Sequence, residues 1–188
     1  MTIGSFSLTP FRAEKTGPDI KITGSIGRRS NLLSIGCALT GNLSELAIPA
    51  AEESPRRKDR LWEETCLEFF LGVKDSERYW EFNLSPSGDW NVYRFTSCRE
   101  GMREEPAFAS LPFAIRREPE ALGLSLDLDI GKIIPARKDI EIAVAAVIKT
   151  VKGGTSHWAL VHPGPRPDFH RRDGFLLGLS GDAHRGSK

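Results

Sequence analysis

The segment ALGLSLDLDI, residues 121–130, places Leu122, Leu124, Leu126 and Leu128 on one parity and Gly123, Ser125, Asp127 and Asp129 on the other. A strict period of two is the signature of a strand with one face buried and one face wet. The pattern recurs in DIKITGSI, LLSIGCALTG, CLEFFL, YWEFNLS, WNVYRFTS, FAIRRE, IEIAVAAVIKTV and HWALVHP, separated by Gly, Pro, Asn, Asp and Ser. Helical periodicity is scarce, and strands do not alternate with helices. The chain is therefore expected to form an all-β antiparallel sandwich rather than a parallel α/β fold. Residues 50–64, with Pro55 and dense charge, read as a long exposed loop.

At 188 residues one domain is the expectation, spanning residues 1–180, with GDAHRGSK (181–188) as a flexible tail. The 26 basic and 25 acidic residues nearly balance, so no global field recruits nucleic acid or a membrane surface. The pairs Arg28/Arg29, Arg56/Arg57 and Arg171/Arg172 are read as solvated loop charge. No apolar run approaches the roughly 18–20 residues of a membrane span, and the first residues lack a secretory pattern. Cys37, Cys66 and Cys98 are odd in number and show no metal-binding spacing. A reduced, cytoplasmic protein is expected.

Alternation sorts the polar residues. Leu67, Phe69 and Leu71 share one face of their strand, and Cys66, Glu68 and Phe70 share the other. Trp80, Phe82 and Leu84 face the core, with Tyr79, Glu81, Asn83 and Ser85 opposite. Ser85 to Asp89 has hairpin chemistry and joins this strand to Trp90–Phe95. If Tyr93 and Phe95 join the interior, the reverse face gathers Glu68, Glu81, Asn83 and Arg94 beside Tyr79 and Trp90. Carboxylates and an amide accept from sugar hydroxyls, Arg and Asn donate, and an aromatic ring covers the C–H face of a pyranose. Trp62, just before the strand, suits that last role, and Glu64 stands beside it. The same charges would also serve as a cross-strand ion-pair ladder, worth about 0.2–1 kcal/mol per pair.

The stretches RLWEETCLEFFL, YWEFNLSPSGDWNVYRF and HWALVHPGPRPDFHRRDGF resemble the small bacterial DOMON-like domains. Their superfamily includes the family 9 carbohydrate-binding modules and haem-binding DOMON domains. The resemblance implies a non-catalytic domain binding a saccharide or similar polar metabolite, with no cofactor required. It matches Trp62 and Glu68 to the family 9 tryptophan and sugar-bonding glutamate, and Asn83 to the asparagine of an Arg-x-Asn pair. Glu81 stands where that arginine would be, and Arg94 is the candidate to replace it. Phe169 and His170 would stand in for a second aromatic wall.

Other readings remain at this stage. A haem-binding domain would draw axial ligands from Met1 or Met102 with His162 or His170. A structural Ca²⁺ is known in relatives, yet no loop of spaced aspartates is present. Glu68 and Glu81, or His157, His162, Asp168 and His170, are the residues a catalytic reading would use. A protein-interaction role, or a homodimer through a sheet edge, would use the exposed strands or the Arg56–Lys58 loop. The loop from His162 to Phe175 is expected to pack over one end of the sandwich. There, Arg171, Arg172 and Asp173 would pair with the glutamates of residues 63–68.

Overall fold

The computed structural model describes residues 2–11 and 18–182. Its strands are β1 (Thr2–Pro10), β2 (Ile20–Arg29), β3 (Leu32–Gly41), β4 (Cys66–Val73), β5 (Tyr79–Leu84), β6 (Trp90–Phe95), β7 (Arg103–Glu104), β8 (Ala114–Glu118), β9 (Ala121–Asp129), β10 (Ile140–Lys149), β11 (Thr155–Ala159) and β12 (Leu177–Leu179). All pairings between these strands are antiparallel. One half of the sheet runs β8-β9-β3-β2-β1 and the other runs β11-β10-β4-β5-β6-β7, with β12 beside β10. Two residue pairs, Thr9 with Ala159 and Pro10 with Trp158, stitch β1 to β11 and make the sheet continuous. The sheet curls so that its halves pack face to face, the expected sandwich. The alternating leucines of β9 meet Ile22, Ile26 and Ile35 of one half and Phe69, Phe82 and Val92 of the other. Phe69 and Phe82, directly opposite on β4 and β5, stack with ring centroids 4.4 Å apart.

β4, β5 and β10 are buried on both faces. A second apolar cluster, Phe70, Tyr79, Tyr93, Phe95, Ala143, Ala145, Ala159 and Phe175, lies on the face turned away from the main core. Residues 162–175 cover it, which is why CLEFFL is aromatic on both parities.

The hairpin changes one expectation. Ser85 accepts the turn, with its N–H donating to Asp89 O, and Leu84 pairs with Trp90. That register sets Glu81 opposite Tyr93 and Asn83 opposite Asn91. Tyr93 and Phe95 therefore share the face of Glu81, while Trp90 and Val92 enter the main core. Because the side-chain period is two, assigning the wrong parity of β6 to the core exchanges every residue of the strand. Arg94, paired with Trp80 and Arg103, stands exposed on the other side from Glu81. Trp90 likewise is not beside the glutamates.

The basic pairs are not simply solvated. Each contributes one arginine to the framework. Arg28 is 3% exposed and donates to the carbonyls of Ser30, Lys138 and Ala136. Arg57 reaches in from the loop expected to be exposed, donating to Asn91 Oδ1 and to the carbonyls of Glu105 and Phe108. Its guanidinium lies 4.5 Å from the Trp90 ring centre. Arg172 binds Glu141 at 2.7 Å and covers Phe175, while Arg171 binds Asp173. Neither reaches the glutamates of residues 63–68.

The strands β1, β7 and β12 are additional to those expected. β7 and β12 are two and three residues long, too short to show a period. Of the expected tail, Gly181 and Asp182 are bonded to Asp139 and Ala136, and residues 183–188 lie outside the described residues.

Candidate functional site

A cavity of about 330 Å³ opens on the outer face of β4, β5 and β10. Glu68 and Glu81 line it from the sheet, with Phe95 and Val147. Trp62 enters from a short 3-10 turn, Leu61–Glu63, whose Leu61 is buried. Phe169, His170 and Pro167 enter from the loop after β11, while Arg99 and Met102 enter from the turn after β6. Broader hollows of about 600 and 680 Å³ lie over the outer face of the other half-sheet. They are floored by serines, glycines and alternate apolar residues, and no buried carboxylate lines them.

The sheet register sets the acids. Glu68 is opposite Asn83 and Phe70 is opposite Glu81, so the two glutamates are diagonal neighbours on one face. Such neighbours lie about 7–8 Å apart across the two strands, within reach of long side chains. Both are almost completely buried, at 3% and 4% exposure. Asn83 is fully buried and donates to Glu81 Oε1 at 2.8 Å, so it positions Glu81 rather than facing the cavity. Glu68 Oε1 has no hydrogen-bond partner. Glu64 caps the turn after Trp62 and is exposed, away from the cavity lining.

A relay closes the opposite wall. The Arg99 amide donates to the Tyr79 hydroxyl at 3.1 Å, and that hydroxyl lies 2.8 Å from His170 Nδ1. The hydroxyl either donates to Nδ1 or accepts from it according to the imidazole tautomer, and Nε2 stands 3.8 Å from Glu81 Oε2. Arg99, at φ 59° in the left-handed region, turns its guanidinium onto Asp168 Oδ1 through Nε and Nη2. Asp168 also accepts from the His170 amide. The ion pair thus ties the β6–β7 turn to the loop that carries Phe169 and His170. Behind Trp62, the Tyr93 ring lies edge-on at 5.7 Å, held by bonds to Asn91 and Asp59.

Electrostatics follow from burial. Desolvation holds Glu68 well above the ordinary carboxylate range; the Glu81 charge adds to this and Arg99 opposes it. Burial likewise pushes Glu81 up to about 7, against the Asn83 hydrogen bond and Arg99. Burial and the Arg99 charge push His170 down to about 4, against Asp168. His170 is neutral at pH 7. A raised carboxyl favours the folded state most below its unfolded value of 4.5, and that contribution is lost as pH rises through about 7. The lowered imidazole has the opposite slope, losing its contribution as pH falls from 6.5 through about 4. The two slopes overlap, so the carboxyl part, Glu81 with its effect on Glu68, is separated from the His170 part by comparison with Glu81→Gln. In urea unfolding, the stability of Glu81→Gln relative to the parent is expected to rise by on the order of 2 kcal/mol between about pH 4.5 and pH 8.

The structure brings together Trp62, Glu68, Glu81, Phe169 and His170, with Asn83 behind them, and separates Arg94 and Glu64. Arg99 supplies the guanidinium that Arg94 was expected to supply. The turn signal SCREG marks where β6 ends, but nothing in it shows the side chain folding back over the sheet. Met102 and His170 share the cavity lining, but both nitrogens of His170 face Tyr79 and Glu81, and Met1 lies outside the described residues. His162 Nε2 donates to Thr9 O, away from the cavity. Among the described residues, no three His, Cys, Asp or Glu side chains converge to hold a metal ion.

No protein-family model matches the sequence, and a search of curated proteins gives no match. Solved structures do share its fold. A candidate carbohydrate-binding protein from Bacteroides uniformis is similar over 95% of this chain and 86% of its own, with a TM-score of 0.69 and 15% identity. A family 9 carbohydrate-binding module from Caldicellulosiruptor kristjanssonii, in complex with glucose, covers 90% of this chain and 81% of its own, with a TM-score of 0.53 and 8% identity. A module of the same family and organism, in complex with cellotriose, covers 96% and 86%, with a TM-score of 0.52 and 8% identity. The chain therefore has the family 9 module fold.

Proposed function

We propose that this chain is a non-catalytic saccharide-binding domain of the DOMON-like group, and that its ligand occupies the Glu68 cavity. The observation that carries the reading is Glu68, which lines an aromatic-walled cavity and whose Oε1 is a buried acceptor with no partner. A buried carboxylate without donors is costly to the fold. A polyhydroxylated ligand supplies those donors, and its ring C–H faces suit Trp62 and Phe169. The saccharide complexes known for the family 9 modules support the same class of ligand.

The test is a thermal-shift screen against mono- and oligosaccharides, with an absorption spectrum of the same protein. A bound sugar at about a hundredfold excess over its Kd raises the melting temperature by several degrees. The shift falls to near zero at the same concentration in Trp62→Ala. A protein that shows a Soret band and no saccharide-dependent shift would instead be a haem-binding domain, and the reading would fail.

A further inference from the structure

The charges around the cavity do not balance. Arg99 is the cation whose field reaches both Glu68 and Glu81. Its guanidinium, however, is already engaged by Asp168 through two nitrogens. His170 contributes no charge, since its burial between Tyr79 and Phe70 and the nearby Arg99 favour the neutral ring. His157, also on the lining, is likewise shifted toward neutrality by burial. Two buried carboxyl groups are left, with one amide donor between them, from Asn83 to Glu81 Oε1. The 3.8 Å from Glu81 Oε2 to His170 Nε2 is too long for a hydrogen bond. Glu68 Oε1 receives nothing.

A neutral sugar satisfies this only in part. Each hydroxyl donates one hydrogen and brings no positive charge to favour the ionised form of either carboxyl group. An ammonium brings three donors and the missing positive charge, and charge-assisted bonds are roughly twice as strong as neutral ones. Glu68 and Glu81 are diagonal neighbours on one face, so one small cation can sit between them. Trp62, Phe95 and Phe169 line the same space and suit both a pyranose face and a cation. We propose that the preferred ligand is an amino sugar with a free amine, its ammonium seated between Glu68 and Glu81. This inference rests on the saccharide-binding reading above and narrows it.

Isothermal titration of the protein with D-glucose, D-glucosamine and N-acetyl-D-glucosamine at neutral pH tests it. Glucosamine is expected to bind at least about tenfold more tightly than glucose, and N-acetylation, which removes the charge, is expected to abolish the advantage. Repeating the titration in buffers of different ionisation heat should show protons released from the carboxyl pair with glucosamine, and fewer with glucose. In Glu68→Gln the preference falls to about one. Should that variant fail to fold, Glu81→Gln gives the same readout. Glucose binding as tightly as glucosamine overturns the proposal while leaving the saccharide reading intact, and so does a preference that survives in both variants. Binding of no saccharide at all overturns both.

Discussion

Glu68→Gln is expected to unfold at a higher temperature than the parent protein at pH 8, and to bind glucose about tenfold and glucosamine about a hundredfold more weakly. The two signs are opposed because one group causes both effects. Glu68 is 3% exposed, and burial and the nearby Glu81 both disfavour its ionised form. With no ligand, a charged oxygen there lacks the donors that water would supply. A neutral amide of nearly the same volume removes the cost of burying an ionised carboxylate, or of holding it protonated at pH 8, without opening a cavity, a gain of about 1–2 kcal/mol. Binding loses a charge-assisted hydrogen bond, worth about 1.5–3 kcal/mol, or roughly ten- to a hundredfold. Calorimetric unfolding and titration on the same preparation check both halves. A variant that is destabilised would mean that Glu68 holds the fold together, and the site assignment would then be wrong.

Arg57→Ala is expected to destabilise the protein by about 3 kcal/mol while leaving saccharide affinity unchanged. The side chain donates to Asn91 Oδ1 at 2.7 Å, Glu105 O at 3.0 Å and Phe108 O at 2.6 Å. It also lies over Trp90, a residue of the main core. Truncation removes the side-chain donor from the Glu105 and Phe108 carbonyls, leaves Asn91 Oδ1 only the Val92 amide and uncovers the indole, and such losses add to several kcal/mol. Arg57 does not line the cavity, so the binding constant serves as the control. Urea unfolding measures the loss; a change under about 0.5 kcal/mol would place Arg57 among ordinary surface charges.

These two residues mark where the sequence is legible and where it is not. The face of Glu68 was readable because Leu67, Phe69 and Leu71 set the core parity of its strand and Trp62 precedes it. Trp80, Phe82 and the leucines of β9 were readable for the same reason, since a period of two says which side is buried. Arg57 was not, because nothing local distinguishes a loop arginine that meets solvent from one that crosses to a sheet 34 positions along the chain. Arg94 shows a subtler limit. The parity of β6 was correct, yet parity does not say which face joins the core. Both faces of β6 offer aromatic residues, and the turn register decided between them. Arg99 escaped because its role depends on a left-handed turn and on Asp168, 69 positions later.

The seam between β1 and β11 bears on how this chain acquires its structure in time. It joins positions 150 apart, and β4 meets β10 across a separation of about the same order as the whole midsection of the chain. Contacts of such long range are slow to form, because the intervening chain must first be ordered. The cavity borrows from residues 62 through 170. It comes into being only when those distant ladders have closed and the loop bearing Phe169 has settled onto the finished sheet. Saccharide binding at the proposed site would therefore require these distant ladders to be closed, and a chain that has merely collapsed would stay silent to it.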